Sequence, residues 1–313
     1  MNIPIFLASD ENYAPFLCTT LYSILEHTKS FIDFYVLDGG IEANSKGLIE
    51  KSLRQFNNYS IKYFNMTEFD LERFPNIRHY SLNTFSRYFI PQLTPDIEKA
   101  IYIDVDVIVN GDIAELYNID LENFALASVP ENFYQKNGEY VKEHIKYDFD
   151  NTENYFNAGV MLLNIKQFIE NNYSDELIQM TIEYFDKLSC PDQDIFNILF
   201  ENNHKLIDYK FNYMPDFYDS YKNILNENEV EYLNNNAIIY HYTCDKPWKS
   251  KLVRKFDLFW NIAKQTYFYD RILNIYKRYN NFYRHWYERI FSVINKDNHK
   301  VITVLGIKVC IKK

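Results

Sequence analysis

Residues 99–109 read KAIYIDVDVIV, an apolar run that only Asp104 and Asp106 interrupt. The β-branched and aromatic residues on both sides of these carboxylates predict one buried strand over the whole stretch. Two carboxylates in such a strand are unfavourable unless a cation or strong hydrogen-bond donors compensate them. Residues two apart face the same side of a strand, so both side chains can address one ion. The sequence therefore predicts a cation site, with salt bridges to Arg or Lys as the structural alternative.

The residues before this stretch alternate apolar runs with helical patterns. Strands are predicted at residues 3–8, 32–37 and 60–64, and helices at residues 15–26, 43–56 and 82–93. This alternation is typical of βαβ units, so we predict an α/β fold with a mostly parallel central sheet. Ligands of such open sheets bind beyond the carboxyl ends of the strands. The segments Ser9–Glu11, Asp38 and Asp104–Asp106 all lie at or near predicted strand ends.

The second half of the chain continues the pattern after one interruption. Residues 132–155 are polar and aperiodic, which predicts a mobile loop over a site. Further strands are predicted at residues 156–164 and 237–242, and helices at residues 165–171, 173–188 and 192–200. Because no linker separates these elements, we predict one domain over residues 1–250. Residues 251–313 are predicted to form a basic, aromatic and mainly helical tail that ends in a strand-like run at residues 301–311.

The charge distribution is strongly asymmetric. The formal net charge of −10 combines about −22 before Lys246 with about +12 from Lys246 onward. An acidic body repels nucleic-acid phosphates, so no nucleic-acid binding is expected. Four cysteines without paired spacing favour a reducing cytosol over a disulfide framework or a zinc cluster. We expect neither a secretory leader nor a membrane span, because no apolar run approaches the roughly 20 residues that a span requires.

The Asp-x-Asp pattern occurs three times, so its context must decide its meaning. Asp148 and Asp150 lie in the polar segment, where a solvated surface role is expected. Asp192 begins a predicted helix, so capping or compensation of the helix dipole would explain it without catalysis. Only Asp104 and Asp106 interrupt an apolar strand. Their oxygens suit a hard cation such as Mn²⁺ or Mg²⁺, which can also bridge to phosphate oxygens.

Six motifs occur in a fixed order along the chain. They are ASDENY at 8–13, FSRY at 85–88, IDVD at 103–106, FNAGV at 156–160, DQD at 192–194 and HYTCDKPW at 241–248. Together they resemble glycosyltransferase family 8, which includes bacterial lipopolysaccharide galactosyl- and glucosyltransferases and glycogenin. The resemblance covers residues 3 to about 250. It implies a GT-A, Rossmann-like nucleotide-sugar-binding domain, a UDP-sugar donor, a divalent ion that is usually Mn²⁺, with Mg²⁺ as the alternative, and transfer with retention.

The resemblance also assigns donor-binding roles to single residues. Ala8, Asp10, Asn12 and Tyr13 would surround the uracil and ribose of the donor. Arg87 would lie near the donor sugar and the diphosphate, whereas the sequence by itself favours an arginine on a helix surface.

The last motif carries the remaining metal and phosphate contacts. By resemblance, His241 would supply a nitrogen ligand to the ion held by Asp104 and Asp106; by itself it reads as a hydrogen-bonded core residue. Lys246 would contact the donor phosphate as a point charge. The common family form has a glycine where Cys244 stands and one more residue before Lys-Pro-Trp.

Three further residues would address the sugars. The resemblance places the amide of Asn157 near the acceptor region, and it places Asp192 and Gln193 near the anomeric carbon. A glutamine amide is a poor nucleophile, so we expect the acceptor to attack from the leaving group's own face while both residues position the sugar. Double displacement through an enzyme nucleophile is the alternative.

The expected partners follow from the family and from the tail. UDP-galactose and UDP-glucose lead as donors, and a lipid-linked or lipopolysaccharide-type glycan on the cytosolic side of a bacterial membrane is the expected acceptor. A nucleotide-sugar-binding protein without transfer activity is the alternative function. The tail carries an apolar stripe, flanked by basic residues, formed by Ile272, Ile275, Tyr279, Phe282, Trp286 and Ile290. This pattern is typical of a helix at an anionic membrane surface, and packing on the body is the alternative.

Overall fold

A computed structural model describes residues 2–69, 71, 74, 82–131, 152–296, 299–305 and 307–312. Its strands, in chain order, are β1 (Asn2–Ser9), β2 (Phe31–Asp38), β3 (Tyr59–Asn65), β4 (Lys99–Ile103), β5 (Val107–Val109), β6 (Leu126–Pro130), β7 (Phe156–Asn164), β8 (His204–Leu206), β9 (Ile239–His241), β10 (Phe291–Lys296), β11 (His299–Val304) and β12 (Ile307–Lys312). Residues 132–151 of the predicted loop, including Asp148 and Asp150, lie outside the described residues.

The α-helices alternate with these strands. They cover Ala14–His27, Ala43–Leu53, Ile90–Leu93, Ala114–Tyr117, Ile165–Glu170, Tyr173–Tyr184, Pro191–Leu199, Tyr218–Tyr221, Glu227–Asn236, Phe256–Ala263 and Tyr269–Ile290. Short 3₁₀ helices include Leu82–Phe89 and Tyr209–Phe211. Of the helices within the described residues, none is both long enough and apolar enough to cross a bilayer.

The central sheet has seven strands in the order β3-β2-β1-β4-β7-β6-β8. The four strands β3, β2, β1 and β4 run parallel, and β7 lies antiparallel between β4 and β6. The prediction of a mostly parallel α/β sheet is therefore confirmed. Along β1, Ile3, Ile5 and Leu7 enter one core cluster and Phe6 enters a second one. The strand is apolar on both faces because helices cover both faces of the sheet.

The main departure from the predicted elements is at residues 99–109. Instead of one strand, the chain forms β4 and β5, separated by a bend at Asp104, Val105 and Asp106. β4 stays in the central sheet, whereas β5 pairs antiparallel with β9 in a separate two-stranded sheet. The two carboxylates are thus presented by a bend and not by strand alternation.

The beginning of the tail packs into the same core cluster as residues of β1 and β2. Phe259, Trp260 and Ile272 are buried there together with Trp248. Ile275 is half-buried against the same cluster and Tyr279 is exposed, so the first turns of the predicted membrane stripe face protein. The side chains of the stripe's last three residues lie outside the described residues: Phe282, Trp286 and Ile290.

The end of the tail differs from the predicted single strand-like run. β10, β11 and β12 form a three-stranded antiparallel sheet that begins directly after the Tyr269–Ile290 helix. The strand-like run predicted at residues 301–311 covers only part of this sheet, because the chain reverses direction within the run.

Candidate active site

The bend after β4 brings two carboxylates and one histidine together. Val107 lies opposite His241 in the β5–β9 pair, and the Tyr242 amide donates to the Asp106 carbonyl over 3.0 Å. Ligand atoms of Asp104, Asp106 and His241 all lie within 4.8 Å of one another. The antiparallel pairing of β5 with β9 therefore brings a residue 135 positions further along the chain to the bend.

Each carboxylate gives one oxygen to a protein cation and directs the other toward the histidine. Oδ1 of Asp104 accepts from Arg87 over 3.0 Å, and Oδ2 of Asp106 accepts from Lys246 over 2.6 Å. Within the described residues, the buried Oδ1 of Asp106 has no hydrogen-bond partner, and it lies 3.2 Å from Nε2 of His241. In each carboxylate, one oxygen thus forms the salt bridge that the sequence allowed, and the other oxygen remains for a cation.

A chain of asparagine side chains fixes the protonation pattern of His241. The Gly159 amide donates to Oδ1 of Asn157 over 3.0 Å, so this atom is an acceptor. Asn212 must then donate its Nδ2 to the same oxygen, over 2.8 Å, and turns its own Oδ1 toward Nδ1 of His241, 2.9 Å away. Nδ1 of His241 therefore carries a proton. In the neutral ring, Nε2 keeps a lone pair directed at the carboxylates, as a metal ligand requires.

The absence of a side chain at Gly159 allows the ligands to converge. A Cβ atom at this position would lie 2.7 Å from Oδ2 of Asp104 and still closer to Cε1 of His241. Two carboxylate oxygens and one imidazole nitrogen form a ligand set that suits a hard divalent cation. One of these oxygens, Oδ1 of Asp106, has no hydrogen-bond partner among the described residues. We conclude that Asp104, Asp106 and His241 fit such an ion.

The electrostatics of the two carboxylates differ. Burial raises the pKa of Asp104 above its ordinary value, although the positive charge of Arg87 opposes this change. Burial acts in the same direction on Asp106, but the positive charge of Lys246 outweighs it and holds the pKa of this carboxyl far below its ordinary value. The ionised form of Asp106 is therefore favoured by its neighbour.

Arg87 is buried, not on a helix surface as the sequence by itself suggested. Its guanidinium also donates to the Ala158 carbonyl over 2.9 Å and contacts Asp192 over 3.1 Å. It stacks over the ring of Tyr102 at 4.2 Å. Arg87 thus joins Asp104 to the helix that carries Asp192.

The predicted sugar-contacting residues lie at the start of the Pro191–Leu199 helix. Asp192 does not cap this helix but pairs with Arg87. Oδ2 of Asp194 accepts from the amides of Ser189 and Cys190, immediately before the helix, over 2.6 and 2.9 Å. The two carboxylates of the helix start thus have different partners, which are Arg87 for Asp192 and backbone amides for Asp194.

Gln193 is joined to the strand that carries Asn157. Its Oε1 accepts from the Asn157 side chain and from the Ala158 amide, each over 3.1 Å. Its Nε2 donates to the hydroxyl of Tyr155 over 3.2 Å. Both ends of the amide are therefore fixed, which orients the group toward the cleft.

These residues line one cleft of about 570 Å³. Ala8, Asp10, Tyr13 and Lys246, predicted to bind the donor, are part of its lining with the metal-binding residues. Asn12 is exposed and lines a neighbouring cleft instead. The ammonium group of Lys246 contacts Asp106 and the carbonyl oxygens of Tyr242 and Thr243. Its contact with a donor phosphate stays a prediction.

Sequence reasoning missed Asn212 and Glu131. Asn212 is fully buried, and Glu131 is buried and accepts from Nδ2 of Asn157 over 2.9 Å. Burial raises the pKa of Glu131 to about 7, against the opposing influence of Asn157 and His241. Neither residue belongs to one of the six motifs, and only the folded structure joins them to His241.

The sheet and the converging ligands define the class of protein, an α/β protein of the GT-A fold. The chain belongs to glycosyltransferase family 8, since the sequence profile of that family matches residues 4–251. This finding confirms the predicted family, and the structural similarity confirms the predicted fold.

Individual proteins agree with this assignment. The galactosyltransferase LgtC, in complex with donor and acceptor sugar analogues, aligns with a TM-score of 0.72 at 27% identity over 85% of this chain and 96% of that one. A Haemophilus influenzae protein named as a glycosyltransferase is 34% identical over 69% of this chain, which spans 64% of the relative's length. An Escherichia coli lipopolysaccharide 1,2-glucosyltransferase is 22% identical over 76% of this chain and 71% of its own length.

Proposed function

We propose that the protein is a retaining hexosyltransferase that moves galactose or glucose from a UDP-sugar to a glycan acceptor, with Mn²⁺ as its preferred ion. The convergence of Asp104, Asp106 and His241 on one point in the cleft supports this function most directly. When bound there, a divalent ion would stabilise the negative charge that develops on the leaving diphosphate. Mg²⁺ has the same preference for oxygen and is the alternative ion.

The residues beside the metal ligands prepare the cleft for an anionic leaving group. Lys246 lies next to Asp106 and adds positive charge on the diphosphate side. Arg87, held by Asp104 and Asp192, adds a second buried cation. Asp10 and Tyr13 belong to the same lining, where the uracil and ribose would bind.

The retaining outcome would follow from attack on the leaving group's own face. Gln193 uses both lone pairs of its amide oxygen in hydrogen bonds, and Asp192 is paired with Arg87, so neither group is an activated nucleophile. In this proposal both residues orient the sugar and stabilise positive charge at the anomeric carbon. Asn157, hydrogen-bonded to Gln193, would extend this surface to the acceptor.

The proposed acceptor is a lipopolysaccharide or another cell-surface glycan, built on a lipid at the cytosolic face of a bacterial membrane. The lipopolysaccharide glucosyltransferase among the relatives supports this class of acceptor. Peripheral attachment through the basic tail belongs to the same proposal, with the tail's cations attracted to anionic lipids.

The proposal is tested by incubating the full chain with a panel of UDP-sugars and Mn²⁺ and measuring UDP release with and without glycan acceptors. We expect acceptor-dependent release with one donor, and its loss when EDTA is in excess. Binding of UDP-sugars without release under every condition would instead identify a binding protein without transfer activity.

A further inference from the structure

A second cleft of about 590 Å³ lies beside the donor cleft and shares Tyr13 with it. It is formed between the segment after β1, the Lys-Pro-Trp segment and the Tyr269–Ile290 helix. Its lining consists of Asn12, Tyr13, Phe16, Trp248, Lys249, Arg271, Asn274, Ile275, Arg278 and Tyr279. None of the catalytic or metal-binding roles proposed above uses this cleft, apart from the expected contacts of Asn12 and Tyr13 with the nucleoside.

The lining of this cleft has a charge opposite to that of the protein as a whole. It contains three cations and no carboxylate among its described residues, in a chain whose net charge is −10. Arg271 forms an ion pair with Glu11, since its guanidinium donates to the Glu11 carboxylate over 2.7 Å and to the Glu11 carbonyl over 2.8 Å. Lys249 lies over the ring of Tyr279 at 5.3 Å. Within the described part of the chain, the exposed Arg278 has no carboxylate partner.

The floor of the cleft is aromatic and rigid. Phe16 and Trp248 stack with their ring centroids 3.8 Å apart, and both are buried in the main core. Tyr13 packs edge-on against Phe16 at 5.5 Å. Tyr13 is the exposed ring of the three, so a planar or apolar group can lie against it while the cations at the rim hold a negative charge.

We propose that this cleft binds a phosphate ester: the phosphate between Lys249 and Arg278, and the organic part of the ligand against the exposed ring of Tyr13. Guanidinium and ammonium groups form strong charge-assisted hydrogen bonds to phosphate oxygens. The site adjoins the donor cleft at Tyr13, but its cations line only the second cleft and the proposal does not rest on the transfer reaction. It also differs from general attraction to a membrane, because it requires particular cations and not the charge of the whole tail.

The helix that lines the cleft supplies a matched pair of variants. Arg278 lines the cleft, whereas its neighbour Lys277 is exposed and does not. Arg278→Glu and Lys277→Glu change the net charge by the same amount at adjacent positions. Binding of phenyl phosphate to each full-length variant is measured by calorimetry, with phenol as the uncharged control. We expect Arg278→Glu to weaken binding about tenfold or more, the loss of one charge-assisted hydrogen bond, and Lys277→Glu to leave it unchanged.

A second arm identifies the source of the phosphate. The same variants are sedimented with phosphatidylcholine vesicles that contain or lack phosphatidic acid. If Arg278→Glu loses phosphate binding and Lys277→Glu does not, the site is supported. Binding to vesicles alone would identify a lipid headgroup as the ligand. Binding to phenyl phosphate alone would identify a soluble phosphate ester. The proposal would be overturned by equal losses of binding in both variants, by equal binding of phenol and phenyl phosphate, or by no binding in either experiment. UDP release with Mn²⁺ reports on the donor cleft independently in every variant.

Discussion

The Asp104–Asp106 and Asp192–Asp194 pairs have identical spacing and different environments. Asp104 and Asp106 lie at a bend between two strands and direct one oxygen each toward His241. Asp192 and Asp194 lie in the first turn of a helix, where one pairs with Arg87 and the other accepts from backbone amides. The comparison teaches that the backbone element, and not the spacing, decides whether two carboxylates can share an ion.

The largest expected effect comes from removing one ligand charge. Asp104→Asn keeps an oxygen for Arg87 and for the Tyr102 hydroxyl, which donate over 3.0 and 2.8 Å, but weakens the ligand to the ion. Loss of several kcal/mol of leaving-group stabilisation predicts about a thousandfold lower turnover. Mn²⁺ binding, followed by electron paramagnetic resonance, should fall in parallel while thermal unfolding changes little. Unchanged Mn²⁺ affinity would remove Asp104 from the ligand set.

The comparison also shows what the sequence could predict. Strands and helices such as β7 were predicted correctly because their periodicity is local. The bend at Asp104–Asp106 was not predicted, since the apolar pattern continues through it and only the pairing of β5 with β9 separates the two strands. Arg87 was expected near the donor by resemblance, but its burial depends on contacts between distant segments. Asn12 was expected around the nucleoside together with Tyr13, but it lines the second cleft, whereas Tyr13 lines both clefts.

A second prediction concerns Glu131, whose partner Asn157 also donates to Gln193 and thus connects the two aspartate pairs. Its pKa is raised from 4.5 to about 7 by burial, so the folded state holds its proton more tightly than the unfolded state. The stability from this group is present below about pH 4.5 and is lost as pH rises toward 7. Urea unfolding should show a decrease of roughly 3 kcal/mol over this range.

The matched variant for this effect is Glu131→Gln, which retains an oxygen for Asn157 and cannot titrate. Its unfolding free energy should depend less steeply on pH than that of the wild-type protein between about pH 4.5 and about pH 7. Identical slopes for the two proteins would show that the carboxyl is ionised in the folded state.

A third prediction concerns Asn212, which holds the histidine beside the first aspartate pair. Asn212→Ala removes the acceptor that holds the Nδ1 proton of His241, so the ring can rotate or change tautomer. Removing a residue that hydrogen-bonds a metal ligand typically lowers metal affinity about 10–100-fold, and we expect the Mn²⁺ affinity to fall by this amount. Asn197→Ala is the control, because Asn197 is also buried but bonds to the backbone of Phe156. If both variants lose Mn²⁺ equally, Asn212 acts only through general stability.

The smallest effect should come from the second pair, where Asp194→Ala removes the acceptor for two backbone amides and the Tyr155 hydroxyl. A hydrogen bond contributes about 0.5–1.5 kcal/mol net, so we expect a lower urea midpoint with Mn²⁺ affinity unchanged. Asp192→Asn is the matched control, because it keeps an oxygen for Arg87 and leaves the contacts of Asp194 intact. Its unfolding should resemble that of the wild-type protein, whereas its turnover should fall more than its UDP affinity. A loss of Mn²⁺ affinity in Asp194→Ala would mean that the two aspartate pairs are coupled and that the helix start helps to hold the ion.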